Sequence, residues 1–292
     1  MAGVEHGVGL TALMVAAGRA IETHRPDSLA RDEYAERFVR AAHASADWPT
    51  TIDDVPDGDA NPLWGRLCRY FGLRTRVLDD FLLESTRAGS RQVVLLAAGL
   101  DSRALRLDWP QDTVVYEIDR AEVLAFKDTV LGETPATRRS IPADLRGDWA
   151  TALLAAGYSP TAPSTWLAEG IFLYLPAAAE QHLISTVDSL VAPGSDFAYE
   201  IKLGLDTPQG RANHLYTATH HHTGIDLISL FNLDPRPDSA AALRTRGWST
   251  TTHTPFHFTQ HHGRGPHPEP DDALEGNRWV FANKPTTAGA LT

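Results

Sequence analysis

Apolar positions recur at three-to-four spacing through the first third of the chain. Leu10, Leu13, Met14 and Ala17 share one face of a predicted helix, and a second helix is expected over 31–44. Leu67, Tyr70, Phe71, Val77, Leu78, Phe81 and Leu82 carry a third over 63–84. Residues 47–62, with three Pro, one Gly and five Asp, predict an exposed loop between the second and third. From Arg91 the pattern changes to short aliphatic runs alternating with amphipathic stretches. Strands are expected at 92–97, 113–118, 165–168 and 197–201, with a weak one near 139–141. Helices are expected at 121–131, 149–156 and 177–190, the last carrying Leu183, Ile184, Val187 and Leu190 on one face. That alternation predicts βαβ units and a doubly wound, mostly parallel α/β sheet. An irregular segment runs to about 237, followed by a helix at 239–246 and two late strands at 248–253 and 278–282. The His-rich stretch 253–267 reads as a loop. The organisation expected is a helical cap over 1–88, an α/β core over 89–202, an insert over 203–237, and the remainder of the same α/β domain over 238–292.

Charge narrows the partners. The 292 residues hold 26 Lys plus Arg against 37 Asp plus Glu, a net charge of −11, and the longest basic run is Arg138-Arg139. Nucleic-acid binding, which rests on clustered cations that neutralise phosphates, is not expected. Cys68 is the single cysteine, so no intrachain disulfide or cysteine-based zinc site is available and a reducing cytoplasm is the expected compartment. The apolar run 10–17 is too short for a signal peptide and has no basic residues before it. No apolar stretch approaches the roughly 18 residues of a membrane span, so no membrane partner is expected. His220-His221-His222 and the group His253, His257, His261, His262 and His267 are dense, but no carboxylate partner at ligand spacing accompanies them, and no metal site is expected.

The chemistry concentrates after the first strand, which runs into Ala97-Ala98-Gly99-Leu100-Asp101-Ser102-Arg103. The strand-to-helix turn of an open α/β sheet is where nucleotide-like cofactors sit, and Gly99 permits close backbone approach. Asp119 ends the second strand twenty residues later, at the spacing where a carboxylate accepts bonds from both ribose hydroxyls. A tight turn with a solvated acid is the alternative. Only one glycine of a G-x-G-x-x-G is present, and Asp101 would repel a pyrophosphate at short range. A phosphate-free cofactor fits better, and S-adenosyl-L-methionine combines ribose and adenine with a sulfonium cation that tolerates carboxylates.

The blocks 92–107 (QVVLLAAGLDSRALRL), 115–127 (VYEIDRAEVLAFK), 142–149 (PADLRGDW) and 166–176 (WLAEGIFLYLP) resemble the leucine carboxyl methyltransferase family. They are most similar to its actinobacterial branch of S-adenosylmethionine-dependent enzymes, which includes tetracenomycin-type polyketide carboxyl O-methyltransferases. Segments 7–22 and 74–82 share the likeness, which spans about 7–202. The resemblance implies a class I methyltransferase-like fold with an N-terminal helical cap and a helical insert before the last two strands. It implies Arg74 on the cofactor's methionine carboxylate, Gly99 beneath the methionine moiety, and Asp119 on the ribose. It also implies Asp144 with the Leu145 backbone at the adenine, and Glu169 beside the amino group or sulfonium. Two of these residues have plainer readings, Arg74 as an ion pair with Asp79 or Asp80 and Asp144 as a helix N-cap. Arg19 could also reach the cofactor carboxylate, and Asp101 could pair internally with Arg103.

The activity implied is direct methyl transfer to an oxygen of a small-molecule acceptor, a carboxylate first, then a hydroxyl, then carbon or nitrogen. A non-catalytic cofactor-binding protein and a nicotinamide dehydrogenase are the readings of other classes. Methylation of a phenol needs a general base where a carboxylate does not, and His214, His220, His221 and His222 are the weak candidates for that base. Trp64, Tyr70, Phe71, Tyr174, Tyr216 and Phe231 could line an acceptor pocket or simply fill the core. The sequence leaves the acceptor and the oligomeric state open.

Overall fold

A computed structural model describes residues 3–286. Its seven strands are β1 (Gln92–Leu96), β2 (Val114–Asp119), β3 (Arg138–Pro142), β4 (Ser164–Ala168), β5 (Asp196–Lys202), β6 (Ser249–His253) and β7 (Asn277–Asn283). They form one sheet in the order β3-β2-β1-β4-β5-β7-β6. The first five are parallel to one another, whereas β7 runs antiparallel between β5 and β6. Successive residues face opposite sides of the sheet, and both sides are covered. Val94, Leu96, Tyr116, Trp166 and Phe197 enter one core with the helices α6 (Trp149–Ala155), α7 (Ala177–Leu190) and α11 (Ser239–Arg244). Val93, Leu95, Val115, Leu167 and Ala198 enter the other with Leu78 and Leu82 of α3 (Cys68–Arg87). Two-sided burial explains why the central strands read as near-continuous apolar runs, and each fully buried large side chain contributes about 1.5–3 kcal/mol.

The remaining helices are α1 (Val8–Thr23), α2 (Ala35–Ala41), α4 (Arg103–Arg106), α5 (Ala121–Leu131), α8 (Pro208–Arg211), α9 (His214–Thr223), α10 (Leu227–Leu230) and α12 (Pro255–His262). α1 and α3 pack so closely that a Cβ on Gly18 would lie 2.6 Å from the Phe71 ring and 3.0 Å from Cys68 Sγ. α3 serves two layers: its first half packs on α1 and its second half lies on the sheet. α9 and α10 join the core of α1 and α3 through Leu215, Tyr216, Ile225 and Leu227.

Three local expectations change. Residues 253–267 are not a continuous loop: β6 ends at His253 and α12 follows, with Pro255 in its first turn, where a missing N–H is harmless, and Gly263 closing it at φ 65°. Residues 47–62 are irregular but not simply exposed, because Trp48 and Thr50 are buried and the Trp48 ring lies 5.7 Å from that of Trp64. The helix expected over 31–44 is only Ala35–Ala41, since Asp32 turns its carboxylate back to Arg19 and to the Tyr34 N–H instead of extending the helix.

Candidate active site

The strand order reverses between β1 and β4, which makes the carboxyl ends of these strands the natural crevice of an open α/β sheet. A cavity of about 640 Å³ opens there, a volume within the range of about 300–1,000 Å³ typical of small-molecule sites. Its floor is the turn after β1, where Ala97 at φ 52° and Gly99 at φ 48° are both left-handed. A left-handed alanine costs about 1–2 kcal/mol, strain of the kind that concentrates at functional sites. A Cβ on Gly99 would meet nothing nearer than 3.8 Å, so the glycine answers to backbone angle rather than to space.

Asp119 ends β2 on the cavity wall and is tied to this turn. Its Oδ2 accepts the Gly99 N–H at 2.7 Å and its Oδ1 accepts the Arg120 N–H at 2.7 Å. Burial raises its pKa, and the two backbone bonds only partly offset that. Each oxygen keeps a further lone pair, so the carboxylate can accept two hydroxyls. Asp144, after β3, is half-buried at the rim with Leu145 beside it; hydrogen bonds from Arg146, then their charge attraction, hold its carboxyl at about 2. Asp144 does not cap α6, because Asp148 does so by accepting the Thr151 N–H at 3.1 Å.

Glu169, after β4, lies between two guanidinium groups. Its Oε1 is 3.0 Å from Arg74 Nη2 and its Oε2 accepts from Arg103 Nη1 at 2.7 Å. Burial alone would push its pKa up, but Arg103 and Arg74 outweigh burial and hold it below the usual value. Arg103 also binds Asp79 at 2.6 Å and Asp101 at 2.5 Å, so the expected Asp101–Arg103 pair is one edge of a larger cluster. The pairing of Arg74 with Asp79 or Asp80 does not occur: Asp79 is taken by Arg103 and Arg106, and Asp80 by Arg76. Arg74 instead donates from Nη1 to Glu200 Oε2 at 2.7 Å. Glu169 and Glu200 raise the Arg74 pKa against the opposing effect of burial.

Glu200, Lys202 and Asn277 escape sequence reasoning. Glu200 is buried on β5, receives the Tyr70 hydroxyl, and accepts from Asn277 Nδ2 at 3.0 Å. Lys202, two residues further on the same strand face, donates from Nζ to the Ala273 carbonyl at 2.5 Å and to Asn277 Oδ1 at 2.7 Å. The available signal was Tyr199-Glu200-Ile201-Lys202 itself, two charges at period two directly after the buried run Phe197-Ala198-Tyr199. Arg19 lies in the same wall, with Nε on Asp32 at 2.8 Å and Nη2 on the Leu100 carbonyl at 2.7 Å; Nη1 makes no hydrogen bond among the described residues.

A sequence profile of the leucine carboxyl methyltransferase family matches residues 12–188. The chain belongs to that family. A Streptomyces coelicolor protein described as a candidate S-adenosyl-L-methionine-dependent methyltransferase is 63% identical over 287 residues, covering 97% of this chain and 95% of its own. A Mycobacteroides abscessus protein with the same description is 45% identical over 248 residues, covering 82% and 80%. Among solved structures, a candidate methyltransferase from Thermobifida fusca superimposes with a TM-score of 0.51 at 16% identity, covering 75% of this chain and 83% of that one, a likeness of fold. This member of the leucine carboxyl methyltransferase family is an S-adenosyl-L-methionine-dependent methyltransferase with an α/β methyltransferase fold.

The other end of the methyltransferase's cavity is aromatic and aliphatic. Tyr174, Tyr216, Phe231, Leu215 and Leu227 face it, with the Phe231 ring tilted against Tyr174 at 5.8 Å and edge-on to Tyr216 at 6.1 Å. Burial pushes both phenols up to about 12. Of the histidine candidates, His220, His221 and His222 do not reach the cavity and His214 lies at a separate small cleft. His222 turns towards Asn61 at 3.5 Å. Among the described residues, the only imidazole on the cavity wall belongs to His6, in the exposed segment before α1. No helix of the described residues is long and apolar enough to cross a membrane, and no cluster of three metal-ligating side chains occurs among them.

The buried Tyr216 hydroxyl has no hydrogen-bond partner among the described residues. A buried, unsatisfied hydroxyl is a net cost of about 1–3 kcal/mol. Tyr216→Phe is therefore expected to melt within roughly 2 °C of the wild type or above it, measured by calorimetry without ligand. A drop of several degrees would show that the hydroxyl is satisfied.

Proposed function

We propose that the methyltransferase transfers a methyl group to a carboxylate oxygen of a small, largely apolar acid. The observation that carries this reading is the acceptor end of the cavity: apolar walls, phenols held neutral by burial, and carboxylates already committed to arginines. The tyrosines there stay protonated and offer no base to a phenol or alcohol, and a carboxylate needs no proton removed. A secondary-metabolite-like acid, of the kind that the tetracenomycin-type resemblance suggests, suits walls of this character.

The residues present fit S-adenosyl-L-methionine. In this reading Asp119 accepts the ribose hydroxyls, the Asp144–Leu145 segment borders the adenine, Gly99 shapes the turn beneath the methionine portion, and Glu169 compensates the positive charge. Arg19 meets the methionine carboxylate through Nη1, whereas Arg74 holds Glu169 and Glu200 with its two Nη atoms and has only its buried Nε without a hydrogen-bond partner among the described residues. When bound, the cofactor supplies a methyl group activated by its sulfonium. The protein's contribution is orientation and exclusion of water: α1, α9 and α10 wall the cavity, and a desolvated carboxylate is a better nucleophile.

The test compares two acceptors with the same ring system, 1-naphthoate and 1-naphthol, by release of S-adenosylhomocysteine. Turnover of the acid alone supports the reading. Turnover of naphthol alone would replace it with hydroxyl methylation and demand a base.

A further inference from the structure

We infer that Lys202 is the anchor for the acceptor's carboxylate, holding the acid by its charge and by the one Nζ–H that the protein leaves unused. The inference rests on the carboxylate reading above and adds the residue that selects the acid. An ammonium group has three donors, and two are spent, on the Ala273 carbonyl and on Asn277 Oδ1. Both partners are neutral oxygens, so the lysine is fixed in place without being neutralised. It stands on the cavity wall, which it shares with Leu215, Leu274 and Tyr70. β-sheet register fixes the arrangement, because Lys202 on β5 pairs directly with Asn277 on β7. A largely buried ammonium with an open donor beside an apolar cavity is complementary to an organic anion, and truncating one partner of such a charge pair is expensive.

The charged groups that face Lys202 agree with this assignment. Glu200 on its own strand and Asp272 from the turn before β7 act to keep it protonated, whereas Arg278 on β7 opposes them; Tyr70 of α3 and Asn277 are neutral. Burial is stronger than all of these and brings the Lys202 pKa down to about 8. Below that pH the amine is an anchor. Above it the amine is neutral and could serve a phenolic acceptor as a base, so pH separates the two roles by sign.

Binding of 1-naphthoate and of 1-naphthol is measured by calorimetry on the full chain saturated with S-adenosylhomocysteine, in the wild type and in Lys202→Met. The expected result is naphthoate affinity at least tenfold weaker in the variant, with naphthol affinity and the melting shift caused by S-adenosylhomocysteine unchanged. In the wild type, naphthoate affinity should fall as pH rises through about 8, although the acid itself stays fully ionised, and Lys202→Met should show no such fall. The wild-type profile stands even if the variant does not fold. Equal naphthoate affinity in both proteins, or turnover that rises through pH 8, overturns the anchor and leaves acid methylation intact. A wild type that binds naphthol but not naphthoate overturns the carboxylate reading itself, and one that binds neither overturns both.

Discussion

Arg103→Met is expected to be the most destabilising single substitution at the site and to abolish methyl transfer. Arg103 is 2% exposed and its guanidinium is shared by Asp79, Asp101 and Glu169. Burial would disfavour its charge, but Asp101, Glu169 and Asp79 together keep it protonated with a raised pKa. Removing it leaves Asp101 without its arginine and Glu169 and Asp79 with only Arg74 and Arg106, and breaking a buried ion pair from one side costs about 3–5 kcal/mol. At roughly 2–4 °C per kcal/mol for a chain of this size, the melting temperature should drop by roughly 6–20 °C. Asp101 reports the same cluster through pH. Burial pushes the Asp101 carboxyl up, but Arg103, Lys127 and Arg106 together outweigh it and hold the group at about 2, below its ordinary value. That stabilisation is present at neutral pH and is lost as pH falls from about 4 towards 2. Arg76→Met is the control, since its pair with Asp80 is half exposed on both sides and such pairs contribute at most about 1 kcal/mol. Equal melting of the two variants would show that the buried cluster does not organise the site.

Asp119→Ala should separate cofactor binding from folding. The carboxylate joins the β1 turn to β2 through two backbone N–H bonds and presents its remaining lone pairs to the cavity. Hydrogen bonds to a charged group contribute about 1.5–3 kcal/mol each. With both ribose bonds lost, the dissociation constant for S-adenosylhomocysteine is therefore expected to rise at least roughly a hundredfold, and calorimetric titration measures it. The Gly99 and Arg120 N–H groups lose their acceptor, so the unliganded protein should melt a few degrees lower. Its ligand-induced melting shift should shrink much more. Unchanged affinity would remove Asp119 from the ribose site.

The sequence reported the sheet well because strands bury both faces and their apolar runs are local. The expected 121–131 and 177–190 coincide with Ala121–Leu131 and Ala177–Leu190, and each expected strand lies within a residue or so of its observed bounds. Gly99, Asp119, Asp144 and Glu169 were legible for a related reason: each follows a parallel strand, and the fold carries all of these ends to one edge. What was not legible depends on distant partners. Nothing near Arg74 in the chain announces Glu200, 126 residues away, and a pairing with Asp79 or Asp80, five and six residues on, is the natural local guess. Lys202 is held by Asn277, 75 residues later, across an antiparallel pair that sequence periodicity does not specify. The His-rich helix α12 was hidden by composition, because proline and histidine favour a loop reading although Pro255 sits where a helix tolerates it.

The central claim is that the acceptor oxygen belongs to a carboxylate, and the bond that forms reports it. The methyltransferase is incubated with 1-naphthoate and S-adenosyl-L-methionine labelled in its methyl group, and the extracted product is treated with mild alkali. The account predicts a methyl ester, so the label should leave the extract as methanol. Label that survives alkali, on oxygen of an ether or on carbon or nitrogen, would contradict it.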